Sequence, residues 1–153
     1  MRQCTLVLVF NSQNQILLCM KKKWFGEWKY NWAWGKIKQG ETPLIGAKRE
    51  LEEETWINVP EEKFKQKWFF HFFYEKKPDW EQNVTLFVVK NYNGEVFETE
   101  EMKPEWFDIG DIPYDKMWVD DAIWLPRVLE WESVEYDFNF NENGEILSFG
   151  AIK

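Results

Sequence analysis

The chain opens with a β-branched and apolar run at residues 5–10, TLVLVF, and a second at residues 16–20, ILLCM. The polar stretch 11–15 between them predicts a hairpin with a five-residue loop. Residues 21–23 are all lysine, and the aromatic stretch that follows, up to Trp34, has no clean period. Helical spacing is clearest at residues 42–55. Thr42 is a good N-cap, Pro43 sits at the first helical position where its missing N–H costs nothing, and Leu44, Ala47 and Leu51 supply the apolar face. Residues 64–74 and 84–89 read as strands, and Pro78 marks the loop between them. Residues 115–121 read as a loop. A helix is expected over 121–131, weakened in its middle by Pro126. The tail alternates again at 134–140 and 146–152 around Asn141-Glu142-Asn143-Gly144, a strong turn signal. Strands mixed with two helices predict an α/β (α+β) fold.

Length and composition then set bounds. At 153 residues the chain is expected to be one domain, residues 1–153, with a core that needs no staples. Hydrophobic content of 44% and charged content of 30% describe a globular chain. No apolar run approaches the roughly 18 residues of a membrane span. The first apolar stretch is too short for a secretory core. Two cysteines make no disulfide framework, so a reduced, cytoplasmic protein is expected. A net charge of −8 argues against binding a nucleic-acid polymer, which needs a basic footprint, but not against one nucleotide held through a metal.

The expected helix carries an unusual charge pattern. At about 100° per residue, Glu50, Glu53 and Glu54 share an arc of roughly 100° that borders the apolar stripe, while Glu52 points elsewhere. Like charges three and four apart destabilise a helix by about 0.2–0.5 kcal/mol per pair. They also lie toward its C-terminal half, where the macrodipole disfavours anions. A solvated acidic face is one explanation. A hard divalent cation such as Mg²⁺, which takes oxygen ligands from one or two carboxylates and from substrate phosphates, is the other.

The flanking residues decide between them. Gly35, five residues, Glu41, seven residues, Arg49-Glu50-Leu51, one residue, Glu53-Glu54, then Ile57: eight fixed positions over 23 residues resemble the Nudix box, G-x5-E-x7-R-E-U-x-E-E-x-G-U. One position departs, with Trp56 where the family has glycine. The segments TLVLVF, KKKWFG, YNWAWGK, EEMKPEWF and DIPYDKMWVDDAIWLP, in that order, are similar to the MutT-homologue branch of the family. That branch hydrolyses oxidised purine nucleoside triphosphates. The resemblance implies an α/β/α sandwich with a mixed sheet. It implies Mg²⁺-dependent release of pyrophosphate from substrates such as 8-oxo-dGTP, with Mn²⁺ as the alternative ion. It also implies a small nucleotide as substrate; at this chain length a monomer is expected.

Carried over by position, Glu50, Glu53 and Glu54 would hold the metal, and Glu53 or Glu54 would take the proton of the attacking water. Arg49 would brace the box by pairing with Glu41. Gly35 and the backbone of Lys36 would complete the metal and phosphate surroundings. Glu101 matches an outlying acidic position that can join them, and Lys21 can meet a phosphate. For the base, the resemblance points to Asn31, Asp120 and Asp121, with Trp118 and Phe25 stacking on the purine and Phe70 and Phe72 as further walls. Base–aromatic stacking contributes about 1–3 kcal/mol. Judged from the residues alone, Asp120 reads first as a helix cap and the aromatics as core, the commoner fates of such residues. His71 reads as a strand residue. Two alternatives stay open: a Nudix-fold binding module with impaired catalysis, or a Nudix pyrophosphohydrolase of another nucleoside diphosphate-linked substrate. A third, suggested by composition, is a tryptophan-rich carbohydrate-binding domain, which expects an all-β chain.

Eleven tryptophans are several times ordinary usage. Trp106, Trp118 and Trp124 fall where the resembled branch also has tryptophan. Trp24, Trp28, Trp32, Trp34 and Trp56 all fall where it has glycine. Five identical swaps are what a gene using UGA for glycine gives when read under a code in which UGA is tryptophan. The other explanation is a divergent branch that rebuilt its loops around indoles. Under the first, the gene carries UGA at these five positions and UGG at the three shared ones. Sequencing the gene tests it, and UGG at all eight excludes it.

Overall fold

The structure is a computed structural model that describes residues 1–23, 28–130 and 133–151. Its strands are β1 (Arg2–Val9), β2 (Ile16–Lys21), β3 (Tyr30–Asn31), β4 (Ala33–Lys36), β5 (Lys65–Tyr74), β6 (Gln82–Val89), β7 (Met102–Phe107), β8 (Val134–Phe140) and β9 (Ile146–Ala151). The helices are α1 (Pro43–Thr55) and α2 (Asp121–Leu129). Six strands form a mixed sheet in the order β4-β1-β6-β5-β8-β9, and three form a second sheet in the order β3-β2-β7. β1 pairs parallel with β6, and β5 parallel with β8; the other pairings are antiparallel.

β1 lies inside the large sheet with a layer on each face. Leu6 and Leu8 join one core with Trp124, Leu125 and Val128 of α2, and Val7 and Val9 join the other with Ala47 and Leu51 of α1. A strand covered on both faces reads as a continuous apolar run, which is why TLVLVF shows no alternation. The expected α/β/α layering, with a mixed sheet between helices, is therefore present. Two helices exclude the all-β carbohydrate-binding reading.

α1 starts as expected. The Thr42 hydroxyl accepts from the Ile45 N–H at 3.2 Å, and Pro43 opens the first turn. The tail hairpin is also as read. The Asn141 side chain accepts from the Asn143 and Glu145 N–H groups at 2.9 Å each, and Gly144 takes φ +81°.

The first hairpin is not a hairpin. β1 belongs to the large sheet and β2 to the small one, and in place of a ladder between them there is an isolated bridge, Phe10 to Ile16. Asn11 ties off the connection by accepting from the Gln13 and Gln15 N–H groups at 3.0 and 2.9 Å. Apolar runs on either side of a polar turn are what a chain switching sheets also produces. Strands β3, β4 and β7 carried no legible period; β7 holds Pro104, tolerated because β7 is an edge strand. α2 ends at Leu129, so the expected extension to 131 fails at 130, the capping residue; Trp131 lies outside the described residues.

Cys4 and Cys19 are free and buried, and burial pushes their thiols up to about 11 and about 12, so both stay protonated. His71 is a strand residue, bonded at Nδ1 to the Asn83 Oδ1 at 2.7 Å. Among the described residues no helix is long and apolar enough to cross a membrane.

Two of the anomalous tryptophans sit on backbone that disfavours them. Trp28 and Trp56 have φ of +66° and +64°, and both side chains are about two-thirds exposed, at 67% and 70%. Trp56 is the left-handed C-cap of α1, a position where glycine is the usual residue. Trp32 and Trp34 are not among the positive-φ residues, and Trp24 lies outside the described ones. Left-handed backbone costs a residue with a Cβ about 1–2 kcal/mol. The exposed Trp56 indole returns little of that through burial. Trp56→Gly is therefore expected to stabilise the chain by about 1 kcal/mol, raising Tm by roughly 2–4 °C in a thermal melt.

Candidate active site

The site is built around Arg49 on α1. Its Nε and Nη2 donate to the two Glu41 carboxylate oxygens at 2.7 and 2.9 Å, a bidentate form of the pairing that the resemblance implies. Nη2 also donates to the Lys36 carbonyl at 3.0 Å, which fastens the end of β4 to the helix. Nη1 donates to Glu50 at 2.8 Å and to Glu53 at 3.2 Å. The guanidinium, followed by the Lys38 N–H, holds the Glu41 carboxyl down at about 2. Glu41 thereby secures the loop between β4 and α1 without competing for a cation.

Glu50 folds back onto β4. A Cβ added to Gly35 would lie 2.1 Å from the Glu50 carboxyl carbon, so only glycine lets the helix acid come this close to the strand. Glu54 accepts from the Trp34 backbone N–H at 3.1 Å. Burial pushes the Glu54 carboxyl up to about 8; the Trp34 N–H and the charge of Lys21 oppose this, and the charges of Glu50 and Glu101 add to it. These couplings place Glu50, Lys21 and Glu101 around Glu54. Glu53 is the exposed member, its side chain 53% accessible.

Among the described residues, no three acids already close into a metal cage. Arg49 explains this, because it holds two of the three helix carboxylates itself. The donor set nevertheless suits a hard divalent cation. Glu50, Glu54 and Glu101 offer only oxygen, the Gly35 cradle keeps the Glu50 carboxylate against the strand, and Glu54 is a poorly solvated acid with one backbone donor.

The second half of the site gathers on the opposite face of β4. Trp118 donates from its indole N–H to Asn31 Oδ1 at 2.9 Å, and the Lys29 ammonium lies 5.2 Å from the Trp118 ring. Asp120 stands at the N-cap position of α2 but makes no capping bond with its side chain. Instead its Oδ2 accepts from the Trp124 indole N–H at 3.0 Å. Asp121, 2% exposed, accepts from the Trp118 backbone N–H at 3.0 Å. Burial raises both aspartic acids, Asp121 well above the usual carboxylate range with the neighbouring Asp120 charge adding to it.

Phe72 is half-buried, whereas Phe70 has no exposed surface and is packed behind Trp124 at a ring distance of 5.0 Å. Phe70 thus lies in the core, one ring in from Trp124. Phe25 lies outside the described residues. Trp124 and Lys29 join this group through their contacts to Asp120 and the Trp118 ring. Trp124 lies four residues after Asp120, so helical spacing alone sufficed to bring its indole to that carboxylate.

The family model described as the NUDIX domain matches residues 1–128. The chain belongs to the Nudix family. Two relatives, each named oxidized purine nucleoside triphosphate hydrolase, extend the likeness over most of the chain. The mouse protein is 36% identical over 97% of this chain and 92% of its own length. The zebrafish (Danio rerio) protein is 41% identical over 94% and 89%. Among solved structures, the mutator MutT protein from Bacillus halodurans superimposes with a TM-score of 0.85 at 24% identity, covering 99% of this chain and 98% of that one. A Nudix domain of Shewanella oneidensis NrtR, solved with ADP ribose, gives a TM-score of 0.69 at 12% identity, over 84% and 86%. Nudix proteins act on small nucleotide substrates and generally use divalent metals.

Because the Glu54 carboxyl holds a proton up to about pH 8, a cation bound there must displace it. The apparent affinity for Mg²⁺ is expected to rise by about tenfold per pH unit from pH 6 and to level off above about 8. Glu54→Gln flattens that slope. Calorimetric titration at several pH values measures both.

Proposed function

We propose that the chain is an Mg²⁺-dependent hydrolase of oxidised purine nucleoside triphosphates, such as 8-oxo-dGTP, yielding the monophosphate and pyrophosphate and so clearing damaged nucleotides from the precursor pool. It acts as a single cytoplasmic domain of 153 residues, monomeric, with a small molecule and not a nucleic-acid polymer as partner. The observation that carries the choice of substrate is the adjacent Asp120–Asp121 pair, Asp121 buried and Asp120 half-buried. Two adjacent acids that resist ionisation hold a proton at neutral pH, which makes one a donor and one an acceptor. Oxidised guanine differs from guanine at its N7 and C8 edge, and reading that edge needs a donor and an acceptor placed together. The names of the mouse and zebrafish relatives support the same substrate class.

In the reaction, water attacks a phosphorus of the triphosphate and the bridging P–O bond opposite breaks. Glu50, Glu53, Glu54 and Glu101, with the backbone of Gly35, are the groups that would hold Mg²⁺, which when bound neutralises phosphate charge. Glu53 or Glu54 takes the proton of the attacking water. Arg49 keeps Glu50 and Glu53 in register through its 2.8 and 3.2 Å contacts. Lys21 faces the departing phosphate. Asn31 and the Trp118 ring orient the base.

A binding module with impaired catalysis is the second reading. It draws on Trp56 in the left-handed cap and on Trp34, whose backbone N–H meets Glu54. Pyrophosphate release from 8-oxo-dGTP, with dGTP and ADP-ribose as comparisons, separates the possibilities. Hydrolysis of 8-oxo-dGTP in preference to both is expected, with Glu54→Gln lowering kcat about 10²–10⁴-fold while the melting curve keeps its cooperativity. Binding of nucleotide without release favours the module, and turnover of ADP-ribose alone favours a different diphosphate-linked substrate.

A further inference from the structure

Among the described residues, Thr5 Oγ1 and Gln82 Oε1 are buried side-chain oxygens without a hydrogen-bond partner. An unsatisfied buried acceptor is destabilising, so each calls for a reason. Thr5 sits in the middle of a strand, between Gly35 of β4 and Thr85 of β6. Gln82 stands at the rim. It opens β6, opposite Phe72 of β5 and Arg2 of β1, at the end of the large sheet. Directly paired residues share a face, and alternation along β6 puts Gln82 on the side of Val84 and Leu86, which pack in the core beneath α2. Its neighbour Asn83 turns to the opposite face, where His71 Nδ1 meets its Oδ1 at 2.7 Å. Of these two consecutive amides, one is satisfied by the fold and one is not.

The face that carries Gln82 leads to the candidate base-reading groups. The Phe72 ring lies 5.8 Å from that of Phe70, Phe70 lies 5.0 Å from Trp124, and the Trp124 indole donates to Asp120. Burial, and then the charge of Asp120, push the Tyr74 hydroxyl up to about 12, so Asp120 stands toward the Phe72–Tyr74 end of β5. Carboxyl groups on the helix side and a carboxamide on the sheet side address two edges of a flat ligand. On an oxidised guanine whose N7 and C8 edge meets the aspartates, the 2-amino group lies at the far end of the ring system and offers N–H donors. A carboxamide oxygen is the matching acceptor, and it adds no third negative charge beside the aspartates. We infer that Gln82 is a further specificity-determining residue, its Oε1 accepting from the exocyclic amino group of the bound base. A base without that group leaves the oxygen unpaired, and a site built this way discriminates against it. This rests on the assignment of Asn31, Asp120 and Asp121 to the base.

The test uses 8-oxo-dGTP and 8-oxo-dITP, which differ only by the 2-amino group. The parent is expected to show a KM about tenfold or more lower for 8-oxo-dGTP, with similar kcat for the two. Gln82→Met, close in size but without the acceptor, brings the two KM values within about twofold by raising that for 8-oxo-dGTP alone. Gln82→Glu keeps an acceptor oxygen whether or not it is protonated, and so keeps the preference. Calorimetry with 8-oxo-dGMP and 8-oxo-dIMP reads the same differences without turnover. Gln82→Met melts at or above the parent's Tm, because the unpaired oxygen is gone. Gln82→Leu takes its place if the methionine chain does not fold. A parent that hydrolyses 8-oxo-dGTP but accepts 8-oxo-dITP equally well overturns the inference and leaves the proposed function standing. So does a Gln82→Met or Gln82→Leu chain that keeps the preference, or that weakens for both nucleotides alike, since Gln82 then only packs. A parent that neither binds nor hydrolyses either nucleotide overturns the proposed function, and the role of Gln82 with it.

Discussion

Arg49 is the constraint on which the rest of the acidic site depends. One planar guanidinium satisfies both Glu41 oxygens, closes on the Lys36 carbonyl and reaches two further carboxylates on its own helix. Without it, Glu41, Glu50 and Glu53 would repel one another across a short gap. The loop between β4 and α1 would also lose its tie to the helix. A lysine has the charge but not the fork, so it cannot hold this many oxygens in fixed directions. The like charges that weaken α1 as an isolated helix thus become tolerable through a tertiary contact.

β4 links the two halves of the site through the alternation of a strand. Ala33 and Gly35 turn toward α1, where Ala33 joins the core beneath the helix and Gly35 admits the Glu50 carboxylate. Trp32, just before the strand, faces the other way, into the core shared with Trp124. A four-residue element therefore stands between the acids that would meet the phosphates and the acids that would meet the base. The Trp34 backbone N–H adds a direct bond from this strand to Glu54. Movement of β4 would shift both groups together.

The tryptophans show how unlike the consequences of one substitution pattern can be. At 28 and 56 the indole projects into solvent from a left-handed residue, and the cost is borne by the backbone. At 32 the backbone is ordinary and the indole is buried beside Trp124. At 34 the side chain is half-exposed and the backbone N–H does the work. A left-handed φ, a buried core position and an exposed strand position are three different settings for the same residue.

Much of this was legible in the sequence, for local reasons. The Thr42-Pro43 start of α1, the Asn141 turn and the eight spaced positions from Gly35 to Ile57 depend on interactions within a few residues, so order along the chain determined them. The arc of Glu50, Glu53 and Glu54 follows from helical geometry alone. Other features required the folded chain. Whether 5–10 and 16–20 pair with each other or part into separate sheets depends on partners far along the chain, β6 and β7, that local pattern cannot weigh. The raised proton affinity of Glu54, Asp120 and Asp121 comes from burial, which no spacing encodes. That Phe70 and Trp32 belong to the core was decided only by packing, because identical side chains become surface or core according to what the other elements leave uncovered.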